Sequence, residues 1–129
     1  MKPETLLYRQ VHESWLQLGI PSSQTFRPTP KDNGKASVYD GDIIGSAEAS
    51  YRHWTEELML TSVGVLAVTE GECTDLKLPA FTDGIPFPAH ATIDFIGDKS
   101  IGQIKRLAGD LTKLAFVRGW QHRPGEAVS

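Results

Sequence analysis

The run VGVLAV at residues 63–68 is nearly all apolar and largely β-branched. A stretch of that kind reads as a central β-strand covered on both faces. A second run, AHATIDFI at residues 89–96, alternates cleanly. Ala91, Ile93 and Phe95 face the core, and His90, Thr92 and Asp94 share the other face. The cover comes from helical patterns. Ile101, Ile104, Ala108, Leu111 and Ala115 form one stripe, with Asp98 or Ser100 as the cap and Gly119 as the stop. Ser46 caps another helix, with Ala47, Tyr51, Trp54 and Leu58 on one stripe. KASVYD at residues 35–40 reads as a short strand closed by the turn residues Asp40, Gly41 and Asp42, and DLKL at residues 75–78 as another. The first segment, residues 4–18, admits two readings. Leu7, Val11, Trp15 and Leu18 fall at helical spacing with Gly19 as the stop, whereas Leu7, Arg9 and Val11 also alternate as a strand. Periodicity favours the helix. Strands and helices mixed in this order predict an α+β domain: a small twisted mixed sheet with two or three packed helices. That domain spans residues 1–120, and residues 121–129 read as a flexible tail.

Composition narrows the classes. At 129 residues the chain is about one domain long, and 40% apolar with 22% charged residues is ordinary for a globular protein. Lys and Arg total 13 against 16 Asp and Glu, a net charge of −3, with the basic residues scattered. Nucleic-acid binding draws its affinity from a dense basic surface, so that role is disfavoured. A single cysteine, Cys73, permits no internal disulfide, which fits a reducing compartment. The first ten residues lack a signal-peptide core, and no run reaches the ~18 apolar residues of a membrane span. The expectation is a cytoplasmic chain that does not enter a membrane.

No motif in the chain names a reaction. His12, His53, His90, His122 and Cys73 lie too far apart for a short metal-binding spacing, so no metal is expected. The NGK at residues 33–35 lacks the earlier glycine of a phosphate loop. Without G-x-S-x-G, Ser22, Ser23 and Ser37 have no sequence support as nucleophiles. What remains is a constellation near strand ends: Arg9, His12, Arg27, Lys31, Ser37, Tyr39 and His90. Arg27 and Lys31 sit in the loop at residues 22–35, where Phe26 anchors to the core and Pro28 and Pro30 stiffen the backbone. Such a loop suits capture of a phosphate or carboxylate, with Arg9 and Ser37 as further ligand contacts. It equally suits a surface presented to another protein. His12, Tyr39 and His90 are the candidate catalytic groups, because histidine titrates near neutral pH. The plainer reading makes His12 a structural histidine and Lys31 with Asp32 a solvated loop pair. His90, entering its strand from a loop with Pro86 and Pro88, stands where a cleft can open.

The strand with Ser37 and Tyr39, followed at once by SAEASYRHW, resembles an arrangement in compact ADP-ribosyltransferase-like domains. The resemblance implies that Arg9 or His12 contacts an NAD-like ligand and that Ser37 or Tyr39 lines a nicotinamide pocket. Glu70 or Glu72 would then be the acidic member. Over almost its whole length, in LYRQVHESW, SSQTFRPTPKD, SVYDGD, GVLAVTEGEC and HATIDF, the chain is also similar to a group of small bacterial hypothetical proteins. That likeness implies a bacterial or phage origin and no chemistry. Two functions follow as expectations: binding of a nucleotide or NAD-like anion at the loop 22–35 pocket, or a non-enzymatic accessory or inhibitory subunit of a bacterial operon. Trp15, Trp54 and Trp120 would anchor an interface if exposed.

Overall fold

A computed structural model describes residues 1–28, 34–97 and 99–125. In chain order it runs β1 (Leu6–Gln10), a 3-10 turn at Glu13–Trp15, β2 (Leu16–Gln17), β3 (Ile20–Pro21) and a second 3-10 turn at Ser23–Phe26. Then come β4 (Lys35–Asp40), α1 (Gly41–Ile44), α2 (Ala47–Arg52) with a π turn at His53–Glu57, and β5 (Val65–Thr69). The chain continues with α3 (Glu70–Asp75), β6 (Ala80–Thr82), β7 (His90–Asp94) and α4 (Ile101–Arg118). Five strands form one sheet in the order β5-β1-β4-β7-β6, and β2 and β3 form a small hairpin. The α+β class is as expected, but every pairing in the sheet is antiparallel rather than mixed. Among the described residues no helix is long and apolar enough to cross a membrane.

Both faces of the sheet are covered. Leu7, Val38, Leu66, Val68, Ala91 and Ile93 meet Ala108, Leu111 and Ala115 of α4 and Phe26 of the second 3-10 turn. Tyr8, Tyr39, Val65 and Ala67 meet Ala47, Tyr51, Trp54 and Phe87 on the opposite side. Each fully buried large apolar side chain contributes roughly 1.5–3 kcal/mol. Because α2 has only six residues, it leaves the β4–β7 half of its face open, and that gap becomes the site described below.

Several local expectations change. Residues 4–18, where periodicity favoured a helix, are β1 followed by a 3-10 turn and β2. β1 lies between β5 and β4 and is covered on both sides, so Leu7 and Val11 share a face as strand residues do. Leu18 is fully exposed. Leu18 and Gly19 carry φ of 54° and 79° and form the two-residue turn of the β2–β3 hairpin, which requires positive φ at both positions. The VGVLAV strand is covered on both faces, yet it lies at the sheet edge. Its open side is closed from the C-terminal end of the chain. Arg118 Nη1 donates to the Ala67 carbonyl at 2.9 Å, Val65 N–H to His122 O at 2.9 Å, and Gln121 N–H to Val65 O at 2.8 Å. The start of the segment expected as a loose tail is therefore tied to β5.

The strand expected at residues 75–78 is replaced by α3 and its exit. Thr69 and Glu72 form a capping box, each satisfying the other's backbone N–H, and this starts a helix directly at the end of β5. Ser100 and Gln103 form another box at the start of α4, while Asp98 lies outside the described residues. Ile101, expected in the buried stripe of α4, is 85% exposed because it occupies the first turn, beyond the sheet. Trp15 and Trp120 pack part-buried against the α4 core and Trp54 against the opposite cluster.

Among the described residues Phe26 and Phe95 are the largest fully buried side chains, and the 3-10 turn that carries Phe26 packs against α4. Phe26→Ala should therefore lose about 3–5 kcal/mol in urea unfolding. A second expectation concerns Glu72, which pairs with Arg118 at 2.9 Å. Burial, the largest single influence, raises its pKa. The Arg118 hydrogen bond, the contacts to Thr69 and the Arg118 charge together outweigh it, and the carboxyl sits below its ordinary 4.5. A depressed folded-state pKa contributes stability above the unfolded value and loses it as pH falls. The stability gap between wild type and Glu72→Gln should be widest above pH 4.5 and shrink below it, as read by denaturation at stepped pH.

Candidate functional site

Alternation along β4 sends Ala36 and Val38 to the α4 side and Ser37 and Tyr39 to the other. The register with β7 sets Ser37 opposite Thr92 and Tyr39 opposite His90. Four polar or aromatic side chains thus gather on one face. Ahead of β7, the loop from Asp83 folds back on the strand. The N–H groups of Asp83 and Gly84 both donate to the His90 carbonyl, at 3.2 and 3.1 Å, and His90 N–H donates to Phe87 O at 3.0 Å. The loop includes a cis Ile85–Pro86 peptide.

This fold-back brings Asp83 to His90. His90 Nδ1 lies 2.5 Å from Asp83 Oδ1, and Thr92 Oγ1 donates to Asp83 Oδ2 at 2.8 Å. On the far side of the ring, His90 Nε2 lies 3.2 Å from Ser37 Oγ. For Asp83, burial is the largest influence and raises the pKa. Hydrogen bonds from His90 and Thr92, the His90 charge and the Ile85 N–H outweigh it and hold the carboxyl below the usual carboxylate range. An ionised carboxylate only accepts hydrogen bonds, so the proton of the neutral imidazole resides on Nδ1 and the Nε2 lone pair faces Ser37. The hydroxyl of Ser37 then donates to Nε2.

A cavity of about 240 Å³ opens beside this chain of contacts, lined by Ser37, Val38, Tyr39, Trp54, Leu58, Pro86, Phe87 and His90. Its walls are largely aromatic. The Tyr39 ring stacks on Phe87 at 5.1 Å and meets Trp54 edge-on at 6.5 Å. His53 lies against Phe87 at 4.4 Å, and its Nδ1 is 2.7 Å from the Tyr39 hydroxyl. Burial drives the Tyr39 phenol well above its ordinary pKa, so it stays un-ionised. His53 and Trp54 project from the π turn, a widened turn of the kind often found at functional sites. Trp54 is fixed by its indole N–H, which donates to Thr61 O at 2.8 Å.

Of the residues singled out in the sequence, Ser37, Tyr39 and His90 come together at this cavity. Arg9 turns to the opposite side of the sheet, where it is buried. Its Nε donates to Thr25 O, its Nη1 to Ser37 O at 2.7 Å, and its guanidinium lies over Trp15. It braces the backbone of Ser37 from behind. His12 is exposed and caps the first 3-10 turn through Ser14. Arg27 donates to Ser23 Oγ at 3.3 Å, and Lys31 lies outside the described residues. Glu70 and Glu72 occupy the first turn of α3, Glu72 being engaged by Thr69 and Arg118. Sequence reasoning missed Asp83, His53 and Phe87. Only Asp83 had a signal, an acidic turn residue in TDG seven positions before His90. Among the described residues no group of three or more His, Cys, Asp or Glu is placed to hold a metal ion. Comparison with protein-family models, with curated proteins and with solved structures finds no match.

The tautomer is directly measurable. Nitrogen-15 NMR of the wild type should find the neutral His90 proton on Nδ1, and a ring protonated on Nε2 alone would overturn the arrangement. Asp83→Ala should lose about 1–3 kcal/mol, because it leaves the buried Thr92 hydroxyl without its acceptor.

Proposed function

We propose that this domain binds a small, neutral, mainly apolar molecule, a single ring or a short acyl chain, in the cavity between Ser37 and Phe87. The observation that carries this reading is the lining. Tyr39, Trp54, Leu58, Pro86 and Phe87 form apolar walls, Ser37 and His90 offer the polar contacts, and among the described residues no Lys, Arg, Asp or Glu lines it. Small-molecule sites combine such walls with few convergent polar groups. Size supports the same class: a cavity of ~150 Å³ accommodates benzene, and this one is larger, at about 240 Å³.

Affinity follows from size. A ligand of about eight non-hydrogen atoms gaining roughly 0.5 kcal/mol per atom binds with a Kd near ~1 mM. A screen of single-ring fragments by NMR should shift the Trp54 indole and Leu58 methyl signals first. Leu58→Trp, which fills the cavity, should abolish the Trp54 indole shift while keeping the fold. Shifts that ignore these positions would defeat the reading.

A second reading, an anion such as phosphate or NAD held near the loop at residues 22–28, rests on Arg27. Its Nε is buried and has no hydrogen-bond partner among the described residues. Titration of inorganic phosphate or NAD against wild type and Arg27→Ala separates this site from the cavity, since only the former would respond to the mutation.

A further inference from the structure

We propose that Ser37 is a nucleophile, activated by His90 and oriented through Asp83, and that the cavity beside it receives the acyl group of a small neutral ester. The geometry is a three-member chain: Ser37 Oγ to His90 Nε2 at 3.2 Å, then His90 Nδ1 to Asp83 Oδ1 at 2.5 Å. This is the pattern by which a serine hydroxyl, weak as a nucleophile on its own, is activated: a base within reach and a third group fixing that base.

Each member is itself held. Asp83 is fixed by Thr92, whose side chain is 2% exposed, and by the backbone fold-back onto the His90 carbonyl. The backbone at Ser37 is braced by Arg9. Ser37 lies on a strand and opens directly on the cavity, with Tyr39 and Phe87 on its flank.

The chemistry balances as acyl transfer to water. Ser37 Oγ bonds to the ester carbonyl carbon while its proton moves to His90 Nε2. The tetrahedral adduct breaks its bond to the alkoxy oxygen, and His90 returns the proton to the departing alcohol. Water then adds to the acyl carbon, giving its proton to His90. The bond to Oγ breaks, the carboxylic acid leaves, and Ser37 regains its hydrogen.

The substrate class rests on the binding reading above, whereas the reactivity of Ser37 does not, so the two are tested separately. The folded wild-type chain is treated with a fluorophosphonate, which modifies activated serines, and the adduct is located by peptide mass spectrometry. Modification of Ser37 is expected, and Asp83→Asn and His90→Gln should slow it by about 10²–10⁴-fold. p-Nitrophenyl acetate, butyrate and benzoate should be hydrolysed by wild type and not by Ser37→Ala. Leu58→Trp should suppress benzoate turnover more than acetate turnover. No adduct on Ser37, or labelling unaffected by His90→Gln, overturns the nucleophile even if ring fragments bind. Labelling of Ser37 without fragment binding or ester selectivity upholds the nucleophile and overturns the acyl pocket.

Discussion

Everything in the site depends on the register between β4 and β7. Pairing of Tyr39 with His90 and of Ser37 with Thr92 puts all four side chains on the face away from α4. A slip of β7 by one residue would turn His90 and Thr92 into the α4 core and expose Ala91 and Ile93 instead. That alternative is closed by burial, since Ala36, Val38, Ala91 and Ile93 are essentially inaccessible on the α4 side. The hydrophobic core therefore aims the polar cluster, and no polar contact has to do so. Asp40 reinforces the alignment at the end of β4: its backbone N–H donates to Ala89 O, and its carboxylate accepts from Thr82 across the sheet.

The short length of α2 explains why a cavity exists at all. α4 runs for 18 residues and covers the other face, whereas α2 runs for six before it widens into the π turn. The aromatic rings of Tyr39, Trp54 and Phe87 partly fill the uncovered area, but planar rings meeting edge-on and stacked leave space between them. The polar groups that border this space are paired with one another. The Asp83 carboxylate receives two side-chain donors, and the Tyr39 hydroxyl is paired with His53. The contacts to Tyr39, Ser37 and Thr92 are part-buried while Asp83 itself reaches solvent, and in such a network removing one member loosens the others.

Much of this was legible from local pattern. The alternation of β7 placed His90 and Thr92 on one face, the Ser46 cap placed α2, and Gly119, with φ of 96°, ends α4 where expected. Where two periods coincide, pattern fails. Leu7 and Val11 are four apart, which is one face of a helix and also one face of a strand, and only the neighbours of β1 decide between them. The capping box at Thr69 and Glu72 carries the local T-x-x-E spacing, a signal that the strand reading of DLKL leaves out. The partnership of Asp83 with His90 was not readable, because it depends on how the intervening loop folds back. Nor was His53, whose direction is set by the π turn rather than by helical spacing.

The two histidines near Phe87 have different chemical prospects, and the difference follows from their partners. Both rings contact Phe87, His53 at 4.4 Å and His90 at 5.4 Å. His53 pairs through Nδ1 with a phenol that burial keeps un-ionised, and its ring does not line the cavity. His90 has a carboxylate behind Nδ1 and a hydroxyl in front of Nε2, and its ring borders the open space. In the proposed acyl transfer a proton taken from Ser37 would create an imidazolium, and Asp83, held by Thr92, lies beside that ring. Of the two rings, it is His90 that links a carboxylate on one side to a hydroxyl on the other at the edge of the cavity.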